Sequence, residues 1–351
     1  MVRVYKLLVG LATALGLSAM AAQGPAAAQE LHLYNWSNYF PPSLLEKFEA
    51  ETGISVTIDN YASEEDLLAK LQAGGGGYDV IFPGPTTLGT MIDQGLVEKI
   101  DANQMENFKN VLGPFQTLSV DEDRSYSAPY MWGTTGFTYD PEMVPGGELE
   151  ESWKELFEPR DELKGNIAML NEMSDVWNAA AYYVGVDKCT EDPDEAQKIL
   201  DVLMAQKPHV KVYSNDGTID RMSAGEVAVH MQWNGAAHRV KKNKPNAVYV
   251  YPKEGVTFWT DTMAVPANAP NKEAAKQFIN WMMLPETAAE ASNFTGYSNA
   301  IIGSGPHLDP SLAEDPAVNM PEEYADRLSA FKQCSPASKE LRERVWTKLK
   351  S

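Results

Sequence analysis

Seven aromatic residues and a few nearby acids carry most of the chemistry this sequence could perform. Trp36, Tyr39, Trp132, Trp177, Trp233, Trp259 and Tyr297 fall mainly at predicted strand ends and turns rather than inside helices. Three have an acid or amide two residues away: Trp36 before Asn38, Trp259 before Asp261, and Trp177 after Asp175. Aromatic faces attract an ammonium group by roughly 0.5–2 kcal/mol. They also cover methylenes, each worth about 0.8 kcal/mol when buried. Carboxylates supply the charge-assisted hydrogen bonds that a desolvated ammonium needs. The combination suits recognition of an aliphatic amine, with Asp261, Asp175 and Glu172 as candidate carboxylates. A lone Trp is more often packing than a binding wall, and any one of these acids could be a solvated surface group. Recurrence near ligand loops is what favours binding.

Catalytic readings find less support. None of the five histidines, His32, His209, His230, His238 and His307, sits in a metal-binding run. The segment Gly296 to Ala300, GYSNA, echoes a nucleophile elbow, but Ala stands where the second Gly belongs and no apolar strand leads into it. The glycines Gly74 to Gly77 lack the following Lys-Ser or Lys-Thr of a phosphate loop. No enzyme activity, metal or cofactor is therefore expected.

The elements that position these residues alternate from the start. ELHLYNW reads as a strand, and Pro41-Pro42-Ser43 opens a helix that stops at Gly53. ISVTIDNY is a second strand. Ser63 with Glu64 and Glu65 caps a second helix, and YDVIFPG is a third strand. This β-α-β-α-β order predicts an α/β fold with an open, mostly parallel sheet flanked by helices. Such sheets bind ligands beyond the carboxyl ends of their strands, which singles out NWSNY and the loop Pro83 to Thr87. Beyond Tyr139 the alternation restarts without a linker or repeat, so two α/β lobes with chain crossovers are expected.

Residues 1–28 read as a signal peptide: Arg3 and Lys6, an apolar run, then Ala26 to Ala28 as a small-residue cleavage site. A periplasmic protein is expected. The formal charge of -20 becomes -22 once Arg3 and Lys6 leave. That acidity disfavours nucleic acid and anionic membranes and fits a cationic ligand. In an exported chain the two cysteines, Cys189 and Cys334, could form a disulfide or remain as two buried thiols.

The chain resembles the periplasmic spermidine/putrescine-binding proteins of bacterial ABC importers. The matching segments include LYNWSNYFPPSLLEKFEAETGISV, YDVIFPGPTT, PYMWGTTGFTYD, QWNGAAH, PKEGVTFWTDTMAVPANAPNKEAAKQFINWMM and RVWTKLKS, in the family's order. The resemblance implies a two-lobe, type II binding-protein fold that closes on a polyamine. It also implies an inner-membrane ABC permease as partner, and a monomer is expected. The implied lobes are 29–137 plus 258–305, and 138–257 plus 306–351. A sensor module for a related cation, such as a guanidino or hydroxy-amine compound, is the alternative.

Carried over by position, the implied site comprises Trp36, Ser37, Asn38, Tyr39, Thr86, Glu172, Asp175, Ser214, Trp233, Trp259, Asp261 and Tyr297. Lys332 falls near a position where a spermidine binder uses Gln. Two residues depart from the pattern. Asn38 stands where family members have Asp or Glu, and Ala236 stands where the putrescine-preferring pattern has a second Asp. Asn38 could still face an ammonium through its carbonyl, or instead a hydroxyl, amide or guanidinium.

Overall fold

A computed structural model describes residues 29–351, and the expected leader, 1–28, lies outside the described residues. The strands, in chain order, are β1 (Glu30–Trp36), β2 (Ser55–Tyr61), β3 (Val80–Ile81), β4 (Ser127–Tyr139), β5 (Ile167–Met169) and β6 (Val210–Tyr213). They continue with β7 (Val229–Trp233), β8 (Val248–Val250), β9 (Val256–Ala264), β10 (Ser298–Asn299) and β11 (Leu328–Ala330). Local rules set the opening third. Leu31 and Leu33 are fully buried on one face of β1, while the His32 side chain stays 43% exposed between them. Pro42 begins the helix Pro42–Thr52, where a missing N–H costs nothing, and Gly53 ends it at φ +74°. Ser63 caps Glu64–Gln72, its hydroxyl accepting the Asp66 N–H at 3.2 Å.

The strands order as β2-β1-β3-β9-β4-β7-β5-β6. The flanks are parallel: β1 with β2 and β3, and β5 with β6 and β7. The centre is not. β9 runs antiparallel to β3 and β4, and β4 antiparallel to β7. The expected mostly parallel sheet is thus parallel only where helical crossovers return the chain. Between the two halves the chain travels along β4 and comes back along β9, which forces an antiparallel pair. The β4–β9 register shifts between Pro129 and Trp132.

Each half has its own apolar core. Leu33, Phe48, Phe82, Tyr130, Phe278 and Ile301 belong to one, and Phe137, Trp153, Ile167, Trp177, Leu200 and Val345 to the other. The final helix, Pro336–Lys350, lays Leu341, Val345 and Leu349 on the second core. A Cys189–Cys334 disulfide, Cα–Cα 5.2 Å, ties the approach to that helix back to its own half. A cross-link over 145 residues is worth typically about 2–4 kcal/mol.

Candidate functional site

Between the two halves lies a cavity of about 170 Å³, and its walls are built from loops that leave the central strands. β1 delivers Trp36 at its end. The chain then turns through Asn38, whose φ of +59° is a left-handed conformation that Asn tolerates better than most residues. Trp36 is fixed by its indole N–H on the Phe82 carbonyl at 3.1 Å, and its ring packs on Tyr61 at 4.8 Å. Trp233, at the end of β7 in the other half, approaches the Trp36 ring to 6.2 Å. The Tyr39 hydroxyl donates to Asp261 Oδ2 at 2.9 Å, joining the first turn to β9. Trp259, also on β9, meets Tyr297 edge-on at 5.1 Å. Tyr297 can lie there because Gly235 is bare: a Cβ at that position would come within 2.4 Å of the ring.

Four of the carboxylates that line this cavity are deeply buried: Glu64, Glu172, Asp175 and Asp261. Glu172 precedes the helix Met173–Val184 and Asp175 lies in its first turn, where a helix N-terminus favours negative charge. Asp175 is held rigidly: Thr135 Oγ1 donates to one oxygen at 2.8 Å and Trp233 Nε1 to the other at 2.9 Å. Glu64 begins the helix Glu64–Gln72 and receives the Gly84 N–H at 2.8 Å. Its own backbone N–H donates to Glu172 Oε2 at 3.4 Å, across the cleft. Glu64 Oε2 is buried without a hydrogen-bond partner.

Burial raises the pKa of every member of this set. It pushes Asp175 up to about 6 despite the bonds from Trp233 and Thr135, and Glu64 up to about 7 despite those from Thr87 and Gly84. Asp261 rises well above the ordinary carboxylate range through burial, reinforced by the Glu64 charge. Glu172 does so through burial and then repulsion from Glu65 and Glu64. Among the described residues none of the four carboxylates forms a salt bridge. A group of acids that is desolvated yet unneutralised favours a cation from outside.

Of the residues carried over from the resemblance, Trp36, Ser37, Asn38, Tyr39, Thr86, Glu172, Asp175, Trp233, Trp259, Asp261 and Tyr297 all line the cavity. Ser214 does not: its hydroxyl turns to the Asp216 carbonyl at 3.0 Å, while the following segment, 215–220, forms the wall. Lys332 points away, 3.8 Å from Asp187, and Phe331 takes the lining position. Two of the seven aromatics also leave the constellation. Trp132 bonds the Asn299 carbonyl and packs on Phe115 and Phe258. Trp177, in mid-helix, is 2% exposed and donates to the Lys188 carbonyl at 2.8 Å. Trp177 serves as core and Trp132 as partly buried packing, because the helix or strand that carries each turns it away from the cleft.

Two charged groups, Glu64 and Arg239, stand out among the lining residues that the sequence reading did not place in the site. Glu64 reads in sequence as part of a helix cap, and its helix start happens to point into the cleft. Arg239, on the helix Asn234–Val240, reaches across to the first turn. Its guanidinium donates to the Asn38 carbonyl at 3.2 Å and to Asn38 Oδ1 at 3.1 Å. Position 239 lies three beyond Ala236 and so shares its face of that helix, a signal that helical spacing alone could have supplied.

The family model for bacterial extracellular solute-binding proteins matches residues 43–320. The chain is 33% identical over its full length to the putrescine-binding periplasmic protein SpuD of Pseudomonas aeruginosa, covering 99% of that protein. It is 32% identical to the spermidine/putrescine-binding periplasmic protein of Escherichia coli, over 98% of this chain and 97% of the relative. Among solved structures, the spermidine/putrescine ABC transporter substrate-binding protein PotD of Streptococcus pneumoniae superposes with a TM-score of 0.75 at 28% identity. That superposition covers 92% of this chain and 98% of the other.

Proposed function

The chain belongs to the bacterial extracellular solute-binding proteins, and from that premise we propose that it captures a polyamine-type cation between its lobes and delivers it to an ABC importer. The observation that carries this reading is the set Glu64, Glu172, Asp175 and Asp261, buried around one cavity with no salt-bridge partner among the described residues. Trp36, Trp233, Trp259 and Tyr297 supply aromatic surface for the methylenes between ammonium groups. The likeness to putrescine- and spermidine-binding relatives over the whole chain supports the same ligand class.

No bond is made or broken in this function. The cleft draws one wall from each half: Tyr39, Glu64 and Asp261 on one side, Glu172, Asp175 and Trp233 on the other. A cation that bridges them has more affinity for the closed form than for the open one, and closure follows from that difference. We take the lobes as 29–137 plus 258–305 and 138–257 plus 306–351, which the division of the two cores supports. Export to the periplasm by removal of residues 1–28 is part of the same proposal, and a disulfide suits an oxidising compartment.

The test is calorimetry and thermal unfolding of dialysed protein against putrescine, cadaverine, spermidine, spermine and agmatine. At least one is expected to bind and to raise the melting temperature, since a ligand at 100 times its Kd adds about 2.7 kcal/mol of stability. Absence of both effects with all five overturns the polyamine reading.

A further inference from the structure

Charge is distributed unevenly around the cavity. Six acids line it, Glu64, Glu172, Asp175, Asp216, Asp220 and Asp261, and among the described residues Arg239 is the only cation that does. Among the described residues Arg239 forms no salt bridge with any of them. Its described side-chain hydrogen bonds go to the carbonyl and the Oδ1 of Asn38. The guanidinium also lies 5.2 Å from the Phe294 ring. Two of its five N–H groups are thus committed, and a fork donor of this kind has further N–H groups to offer. Asn38 meanwhile has its carbonyl and its side-chain oxygen occupied by the same guanidinium. What Arg239 and Asn38 present to a ligand here is therefore a donor and a positive charge, and the wall acid whose charge reaches the guanidinium is the exposed Asp220.

A symmetric diamine would place one ammonium among the acids and aim the other at Arg239. An ammonium brought up to a guanidinium in a partly desolvated cleft is repelled, which disfavours binding. A ligand with a carboxylate at its far end would instead meet a group whose planar geometry matches it. The acids and the arginine together describe a ligand that is cationic at one end and anionic at the other.

Resting on the reading of the cleft as a site for organic cations, we propose that Arg239 sets its specificity toward ω-amino or ω-guanidino acids over diamines of the same length. The ammonium or guanidinium sits among Glu64, Glu172, Asp175 and Asp261, and the carboxylate bonds Arg239 at the Asn38 end. Arg239 thereby does what an acid at position 38 would do for a diamine, with the sign reversed.

The experiment is calorimetry with two matched pairs, putrescine against 4-aminobutyrate and agmatine against 4-guanidinobutyrate, on the wild-type protein, Arg239→Gln and Arg239→Lys. In the wild type the acid of each pair is expected to bind at least tenfold more tightly. Arg239→Gln is expected to abolish or reverse that preference, and Arg239→Lys to retain part of it. If the diamine-type member binds more tightly in the wild type, the proposal is overturned while the cation-site reading stands. An equal loss for all four ligands in Arg239→Gln also overturns it, because Arg239 is then only a latch between the lobes. If none of the four binds the wild type and the longer polyamines also fail, the cation-site reading falls with it. Binding of the longer polyamines alone overturns this proposal only.

Discussion

The two ends of the cleft solve opposite electrostatic problems. At one end Glu64, Glu172, Asp175 and Asp261 crowd together, their pKa values raised by burial, with no cation among the described residues in salt-bridge contact. At the other, Asn38 and Arg239 satisfy each other across the gap with hydrogen bonds of 3.1 and 3.2 Å. The first end is destabilised until a ligand arrives, whereas at the second Asn38 already holds two N–H groups of the guanidinium and leaves the others to a ligand. On the reading proposed above, binding energy originates at the acid end and selectivity is exercised at the Asn38 end.

The largest effect expected from breaking this asymmetry comes from Asp261→Ala. It removes the carboxylate that receives the Tyr39 hydroxyl and leaves a bound ammonium without its partner, a loss of about 3–5 kcal/mol in binding. Calorimetry checks it; wild-type affinity in Asp261→Ala would show that the acid end is not the ligand's anchor. Next come the tryptophans. Trp177→Ala is expected to cost about 3–5 kcal/mol of folding stability, as a large side chain lost from a packed core does. Ligand affinity at temperatures where that variant stays folded should be unchanged. Trp233→Ala is expected to do the reverse, because its indole both orients Asp175 and faces the cavity. Denaturant unfolding and calorimetry on the pair separate the two roles.

A pH series sharpens the comparison further. Carboxylates whose folded pKa is raised hold protons in the native state that the unfolded chain has already released, so stability falls as pH rises. For Asp175 and Glu64 the window runs from the ordinary carboxylate range up through about 6 and about 7. Unliganded protein should therefore melt at a lower temperature at pH 8 than at pH 5. A cationic ligand favours the ionised acids, so the thermal shift it produces should grow over the same window. A shift that shrinks with rising pH would mean the acids are not what the ligand meets.

Much of this was legible from residue patterns, and the exceptions have physical causes. The alternation around Leu31 and Leu33, the Pro42 start, the Gly53 stop and the Ser63 cap are short-range signals, and each element formed where its signal lay. The antiparallel centre was not legible, because pairing β4 with β9 depends on contacts more than a hundred residues apart. Trp132 and Trp177 show the same limit among aromatics: residue type is plain from the sequence, but the direction of the side chain is set by the element that carries it. Ser214 erred by a residue or two, since only the segment after it reaches the cleft. Glu64 was named in sequence for its cap role and missed as a cleft acid, because one helix terminus can serve both.

The smallest expected effect, Asn38→Asp, tests whether the two ends are independent. Asp accepts the left-handed backbone at this position nearly as well as Asn, so the turn should persist. With Arg239 present, the new carboxylate pairs with the guanidinium across the cleft, a partly exposed ion pair worth about 0.2–1 kcal/mol. Affinity for putrescine should then change by only a few-fold. With Arg239→Gln the same carboxylate is free to meet an ammonium, and putrescine affinity should rise by more. The double variant is therefore expected to exceed the sum of its single effects, as residues in direct contact do. Calorimetry on the four proteins of that cycle decides it. Strict additivity would mean that Asn38 and Arg239 do not act on the ligand as one unit, and that selectivity resides elsewhere on the wall.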